Sequence, residues 1–251
     1  MARQKLGQHF LISGKILERI ATAACGERVP LAVEIGPGRG ALTEHLLAHA
    51  DRVVAMELDH ELAEFLRERW RGDARLAIVE ANALDLDWSQ WGAGVLTGNL
   101  PYYIATPMIS RFLRTPAQLS SGVFLIQKEV AERITAKPGG REYGYFSVEC
   151  QYLARAEYLF TVQPGAFRPP PKVDSAVIRV TPHETAQGVD TGLFLEFVSK
   201  CFRQKRNTLR NNLAASYPPE RLAGLAQMSL RGEQLSVEAF VAMYREITST
   251  Q

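Results

Sequence analysis

Ala32-Val33-Glu34-Ile35-Gly36-Pro37-Gly38-Arg39-Gly40-Ala41-Leu42-Thr43 is the stretch that decides the fold. Apolar strand formers run up to Ile35, glycines then recur at every second position, and the helix formers Ala41 and Leu42 follow. That order predicts a buried strand, a tight turn and a helix. Glycines in the turn permit left-handed backbone and present bare main chain, while Ala41 keeps the new helix close to the sheet. Such a turn is where an α/β sheet receives a nucleotide or nucleoside.

The turn leaves the ligand open. Gly36 to Ala41 fits the G-x-G-x-x-G/A dinucleotide pattern, and Glu57 lies where a carboxylate takes ribose hydroxyls in nicotinamide enzymes. Enzymes that use S-adenosylmethionine share this geometry, with an acidic residue just before the turn, here Glu34.

Strands and helices alternate outward from this stretch. Strands are predicted over Arg52–Met56, Leu76–Val79, Val95–Thr97 and Val123–Gln127, with a helix over Glu61–Trp70. The alternation implies a mostly parallel sheet flanked by helices, with its site at the carboxyl ends of the strands. Glu57, Asn82 and Asn99 each follow a strand and are predicted to converge on the glycine turn. Ahead of the sheet lies a polar arm, Arg3 to Leu11, and Ser13 reads as a helix cap.

Later the pattern changes. Ala156–Val162 and Ser175–Val180 read as strands joined directly through Phe167-Arg168-Pro169-Pro170-Pro171-Lys172, a stiff connection that predicts an antiparallel departure from the doubly wound plan. Thr181–Asp190 reads as a linker, and Leu193–Leu213 and Val237–Ile247 as helices. The predicted organisation is a catalytic domain over residues 1–181, arm included, and a small α-helical domain over residues 182–251.

Composition narrows the class. The chain of 251 residues is 46% hydrophobic and 22% charged, the balance of a water-soluble globular protein, and its net charge is only +2. Any nucleic-acid contact must therefore come from local clustering. Cys25, Cys150 and Cys201 are widely spaced, which suits a reducing cytoplasm and offers no zinc pattern, so no metal is expected. The first ten residues lack a signal-peptide core.

Asn99-Leu100-Pro101-Tyr102 names a chemistry. The exocyclic amine of adenine is a poor nucleophile because its lone pair is delocalised into the ring. An asparagine oxygen and a main-chain carbonyl that both accept from this amine favour a pyramidal nitrogen, its lone pair aimed at an incoming methyl group. Asn99 and the carbonyl of Leu100 supply that pair. Pro101 fixes the backbone, and Tyr102 offers a ring on which a flipped base can stack.

With these residues in view, the chain resembles the ribosomal RNA adenine N6,N6-dimethyltransferases of the KsgA type. The resemblance runs nearly end to end, through Leu6–Leu11, Glu34–Gly38, Glu57–Asp59, Asn99–Tyr102, Gln127–Ala131, Phe167–Asp174 and Phe202–Leu213. It implies a Rossmann-like methyltransferase sheet with a small C-terminal α-helical domain. It further implies S-adenosylmethionine as cofactor and dimethylation of two adjacent adenosines near the 3′ end of small-subunit ribosomal RNA, by a cytoplasmic monomer acting on immature small subunits.

Roles carry over position by position. The resemblance places His9 and the main chain at Leu11 over the cofactor, Gly36 beside its methionine part, Glu57 on its ribose and Asn99 on both cofactor and target amine. Asn82 stands where the family usually has Asp for the cofactor's adenine, and His9 where Asn is more usual. Tyr102 and Phe167 match aromatic residues that sandwich the target adenine.

Between Phe197 and Pro219 the chain carries Lys200, Arg203, Lys205, Arg206 and Arg210 and no carboxylate. On a helix Arg203, Arg206 and Arg210 would share a face and track phosphates, with Gln204, Asn207, Asn211 and Asn212 adding hydrogen-bonding groups. The nearest rival within the same chemistry is the erythromycin-resistance type, which modifies large-subunit RNA. A ribosome-assembly factor that only binds is the alternative from another class.

Overall fold

The structure is a computed structural model that describes residues 9–115, 118–183 and 188–248. The arm as far as Gln8 and residues 184–187 of the expected linker lie outside the described residues. The elements follow one another as β1 (Phe10–Leu11), α1 (Gly14–Cys25), β2 (Val29–Ile35), α2 (Ala41–His49), β3 (Ala50–Glu57), α3 (His60–Arg69) and β4 (Leu76–Glu80). Next come β5 (Gly94–Asn99), α4 (Ala105–Arg114), β6 (Leu119–Gln127), α5 (Lys128–Ile134), α6 (Tyr145–Leu153), β7 (Ala154–Val162), β8 (Phe167–Arg168) and β9 (Ser175–Pro182). The helices α7 (Thr191–Cys201), α8 (Leu209–Leu213), α9 (Pro219–Leu222) and α10 (Val237–Thr248) complete the chain.

Two compact units emerge. The first takes the described residues up to 131 together with 156–182, and the second takes 132–155 with the described residues from 183 onward.

The first unit holds a seven-stranded sheet in the order β4-β3-β2-β5-β6-β9-β7. Parallel pairing joins β4 to β3, β3 to β2, β2 to β5 and β5 to β6, whereas β9 runs antiparallel to β6. The order reverses between β2 and β5, which opens the crevice where ligands bind in sheets of this kind. Leu31 to Ile35 are buried without interruption, as a strand covered on both faces demands. On one face α1 lays down Leu17, Ile20, Ala21 and Ala24 at helical spacing, in one core with Leu42 and Leu46 of α2 and Val95, Val123 and Val177 of the sheet.

One pairing had no sequence signal. β1 and β8 form a two-stranded antiparallel ribbon, Phe10 opposite Arg168 and Leu11 opposite Phe167.

The second unit is helical around an aromatic core. The Phe194 ring lies 4.4 Å from Tyr152 of α6 and 5.7 Å from Tyr244 of α10. Phe197 and Val198 of α7, Leu213 of α8 and Phe240 of α10 fill the rest. This unit is discontinuous in sequence, because α6 belongs to it although it precedes the strand β7.

Candidate active site

The site grows from the carboxyl ends of β2, β3 and β5. Beyond Ile35 the chain turns at Gly36, whose N–H donates to the carbonyl of Met56 at 2.9 Å and so ties the turn to β3. At φ +65° Gly36 is in left-handed territory, and a Cβ there would meet nothing within 4 Å. Open space thus lies beside bare main chain, as a nucleoside ligand requires.

Glu57 stands at the end of β3. One of its carboxylate oxygens accepts from the N–H of Gly38 at 3.0 Å, and the other accepts from Leu58 and Asp59 at 2.9 and 3.0 Å. Three main-chain donors hold the carboxylate, and a carboxylate's four acceptor positions leave room for one more, the capacity a ribose hydroxyl would use. Glu34, only 1% exposed, accepts from the Thr43 hydroxyl at 2.6 Å. Burial pushes its carboxyl up to about 8, the hydrogen bond from Thr43 opposes the rise, and nearby Glu57 adds to it.

Asn82 follows β4 in a turn. Its side-chain oxygen accepts from the N–H of Leu84 at 3.1 Å and its amide donates to Asp85 at 2.9 Å, so the residue organises its own turn. The amide oxygen keeps a second lone pair for an adenine amine.

Asn99 ends β5, opposite Leu125 of β6. Its amide nitrogen donates to the main-chain carbonyl of His9 at 3.0 Å, which turns the amide oxygen the other way. Leu100 N–H donates to the Leu125 carbonyl at 3.0 Å and fixes the next peptide plane. The Tyr102 hydroxyl is hydrogen bonded to Ser175 at 2.9 Å, and the ring centroids of Tyr102 and His9 are 5.9 Å apart. The set is an oriented amide acceptor, a rigid peptide and an anchored aromatic ring, which suits a flipped adenine.

One expectation in this region needs correction. Phe167 is only 3% exposed and packs in the core with Leu11, Leu17 and Ile20, so its ring has no open face for a base. Pairing with Leu11 across the ribbon draws it inward. The Leu11 side chain is likewise core, while the bond from Ile12 N–H to the Ala166 carbonyl leaves the Leu11 main-chain groups turned away from β8.

The basic stretch also departs from expectation. No continuous helix runs from Leu193 to Leu213: α7 ends at Cys201, and Arg203, Lys205 and Arg206 are exposed on an irregular connection, with Arg210 exposed on α8. They therefore do not share a helical face. The connection is held by Asn212, 4% exposed, whose amide donates to the carbonyls of Cys201 and Gln204 at 2.8 and 3.1 Å while its oxygen accepts from Gln204 N–H at 3.2 Å. Asn212 is thus a structural clasp and not an RNA contact, and Lys205 adds a bond to the Arg141 carbonyl at 2.9 Å. Replacing Asn212 by Ala leaves several buried groups without partners. We expect it to cost about 2 kcal/mol in urea unfolding, and an unchanged midpoint would contradict the clasp.

Sequence reading missed three participants: Ser175, Pro169 and the carbonyl of His9. Each acts across a long sequence separation, and a main-chain carbonyl carries no residue signature.

Comparison with known proteins gives a consistent result. The family described as ribosomal RNA adenine dimethylase matches residues 1–249. A ribosomal RNA small subunit methyltransferase A of Acidobacterium capsulatum is 42% identical, over 98% of this chain and 91% of its own length. The protein of the same name from Pseudomonas aeruginosa is 39% identical, over 98% and 94%. Among solved structures, a dimethyladenosine transferase from Plasmodium falciparum superposes with a TM-score of 0.86 at 24% identity, over 96% of this chain and 98% of that one. The 23S rRNA methyltransferase ErmE follows with a TM-score of 0.77 at 26% identity, over 95% and 99%. The fold is that of Rossmann-like methyltransferases, and the chain belongs to the ribosomal RNA adenine dimethylase family.

Proposed function

We propose that this chain dimethylates N6 of two adjacent adenosines near the 3′ end of small-subunit ribosomal RNA while the subunit is being assembled. Family membership makes it an adenine dimethylase with S-adenosylmethionine as methyl donor. The cofactor supplies an electrophilic methyl group; everything else falls to the protein. Glu57 and the bare turn at Gly36 fit its ribose and methionine parts, and Asn82 its adenine.

The observation that carries the reading is the amide of Asn99. Its nitrogen is committed to His9, so its oxygen is the atom presented to the target amine. With Asn99 and the Leu100 carbonyl both accepting N–H bonds, the N6 lone pair leaves the ring plane and points at the methyl group. Tyr102, braced by Ser175, stacks on the base. After transfer the nitrogen is cationic and loses its proton to water, so no general base is needed.

Relatives near 40% identity are named for the small subunit, which favours this reading over the erythromycin-resistance type. The second unit would hold RNA through Arg203, Lys205, Arg206 and Arg210. Arg203, Lys205 and Arg206 are exposed on the connection clasped by Asn212, and Arg210 is exposed on α8. We expect Arg206→Ala with Arg210→Ala to lower the salt slope of RNA binding by about 1 to 2. An unchanged slope would return both arginines to an ordinary solvated surface. Among the described residues no helix is long and apolar enough to cross a membrane. We place the protein in the cytoplasm, as a monomer.

The test is product analysis. Unmethylated small subunits are incubated with enzyme and cofactor, and the RNA is digested and mapped by mass spectrometry. Dimethyladenosine at two neighbouring positions supports the reading, whereas monomethyladenosine alone or isolated single sites would overturn it.

A further inference from the structure

We propose that His9 is a positioning residue that sets the amide of Asn99 for catalysis, and that its imidazole does so through Pro169. The inference rests on the assignment of Asn99 as the acceptor for the target amine.

Three contacts meet at His9. Its main-chain carbonyl accepts from the Asn99 amide nitrogen at 3.0 Å. Its Nδ1 lies 2.8 Å from the Pro169 carbonyl. A carbonyl can only accept, so Nδ1 carries the proton and donates. Its ring also stands 5.9 Å from that of Tyr102.

An asparagine amide can present either end to a partner. With nitrogen forward it repels the target amine, donor against donor; with oxygen forward it accepts from it. The His9 carbonyl selects the second state, because only the nitrogen can donate to it. That carbonyl belongs to a short segment at the edge of the ribbon, and a peptide there needs an anchor. The Nδ1 bond to Pro169 supplies it from one side. On the other side Phe10 pairs with Arg168, and the Phe10 ring sits 3.0 Å from where a Cβ on Gly38 would stand. The segment thus bridges the cofactor turn and the target amide.

The geometry also says which replacement keeps the bond. Nδ2 of an asparagine lies the same number of bonds from Cα as Nδ1 of histidine, so either side chain can donate to the Pro169 carbonyl.

The experiment compares wild type, His9→Ala and His9→Asn in methyl transfer to unmethylated small subunits, alongside ¹⁵N spectra of the free proteins. The Asn99 side-chain amide signal is assigned from its loss in Asn99→Ala. His9→Ala is expected to lower kcat about tenfold, the scale of one neutral hydrogen bond, with KM for the cofactor changed less than about threefold, and to move the Asn99 amide signal. His9→Asn is expected to restore both kcat and the signal. Full kcat in His9→Ala, or a His9→Asn protein as impaired as His9→Ala, would overturn the proposal. Failure of the functional reading itself shows separately, as a wild-type enzyme that transfers nothing to small subunits, and the amide signal then still decides whether His9 sets Asn99.

Discussion

Asn99→Ala is expected to lower kcat about 10² to 10³-fold, the range found when a preorganised polar group at a reacting centre is removed. RNA affinity is expected to stay within about twofold, because the proposed phosphate contacts lie on Arg203, Lys205, Arg206 and Arg210. The substitution removes the oriented acceptor and leaves the strand intact, since β5 is held by its main chain to β2 and β6. Single-turnover kinetics with saturating cofactor separates the chemical step from product release. Turnover equal to wild type would remove Asn99 from the mechanism. Loss of binding in parallel with activity would make it an RNA contact instead.

Glu34→Gln is expected to raise stability at alkaline pH. Burial holds the Glu34 carboxyl at about 8 in the folded chain, against an ordinary value of 4.5. Between those values the unfolded chain has released this proton while the folded chain keeps it, so wild-type stability falls as pH rises through the window. The glutamine never ionises, and its side-chain oxygen still accepts from Thr43. Relative to wild type we expect a gain of about 3 kcal/mol at pH 8 and almost none near pH 4.5, the full shift being moderated by relaxation around the ionised carboxylate. Urea midpoints for both proteins across this range provide the check. Parallel curves would show that Glu34 ionises as freely inside the protein as outside it.

What the sequence reveals depends on how far apart the cooperating residues lie. The glycine turn is contiguous, and its meaning rests on local backbone geometry, so Gly36 and the strand before it were legible at once. Asn99 to Tyr102 was equally readable as a motif, because its four residues are neighbours in the chain. Phe167 was ambiguous: an aromatic residue before a proline loop suits a stacking wall or a core wedge, and only its partner across the ribbon, Leu11, decides for the core. β1 and β8 have two residues each, too few for any alternation to show.

The long helix expected from Leu193 to Leu213 fails for a related reason. Between Cys201 and Leu209 there is no glycine or proline to stop it. Across the interruption the Asn212 side chain bonds main-chain groups eight to eleven residues earlier, and Thr208 caps the helix that restarts. Asn212 looked like an RNA contact because asparagine beside arginine is polar in composition, and composition does not register burial. The proposed effect of His9 on Asn99 was not legible, because it passes through a carbonyl that every residue possesses.

The most direct test of the central claim is a competition. Labelled S-adenosylmethionine is supplied with equal amounts of unmethylated small and large ribosomal subunits, and the label in each RNA is followed with time and mapped to the base. The proposed function predicts label in the small subunit alone, recovered as N6,N6-dimethyladenosine. Label in the large subunit, or tight binding to small subunits with no transfer at all, would contradict it.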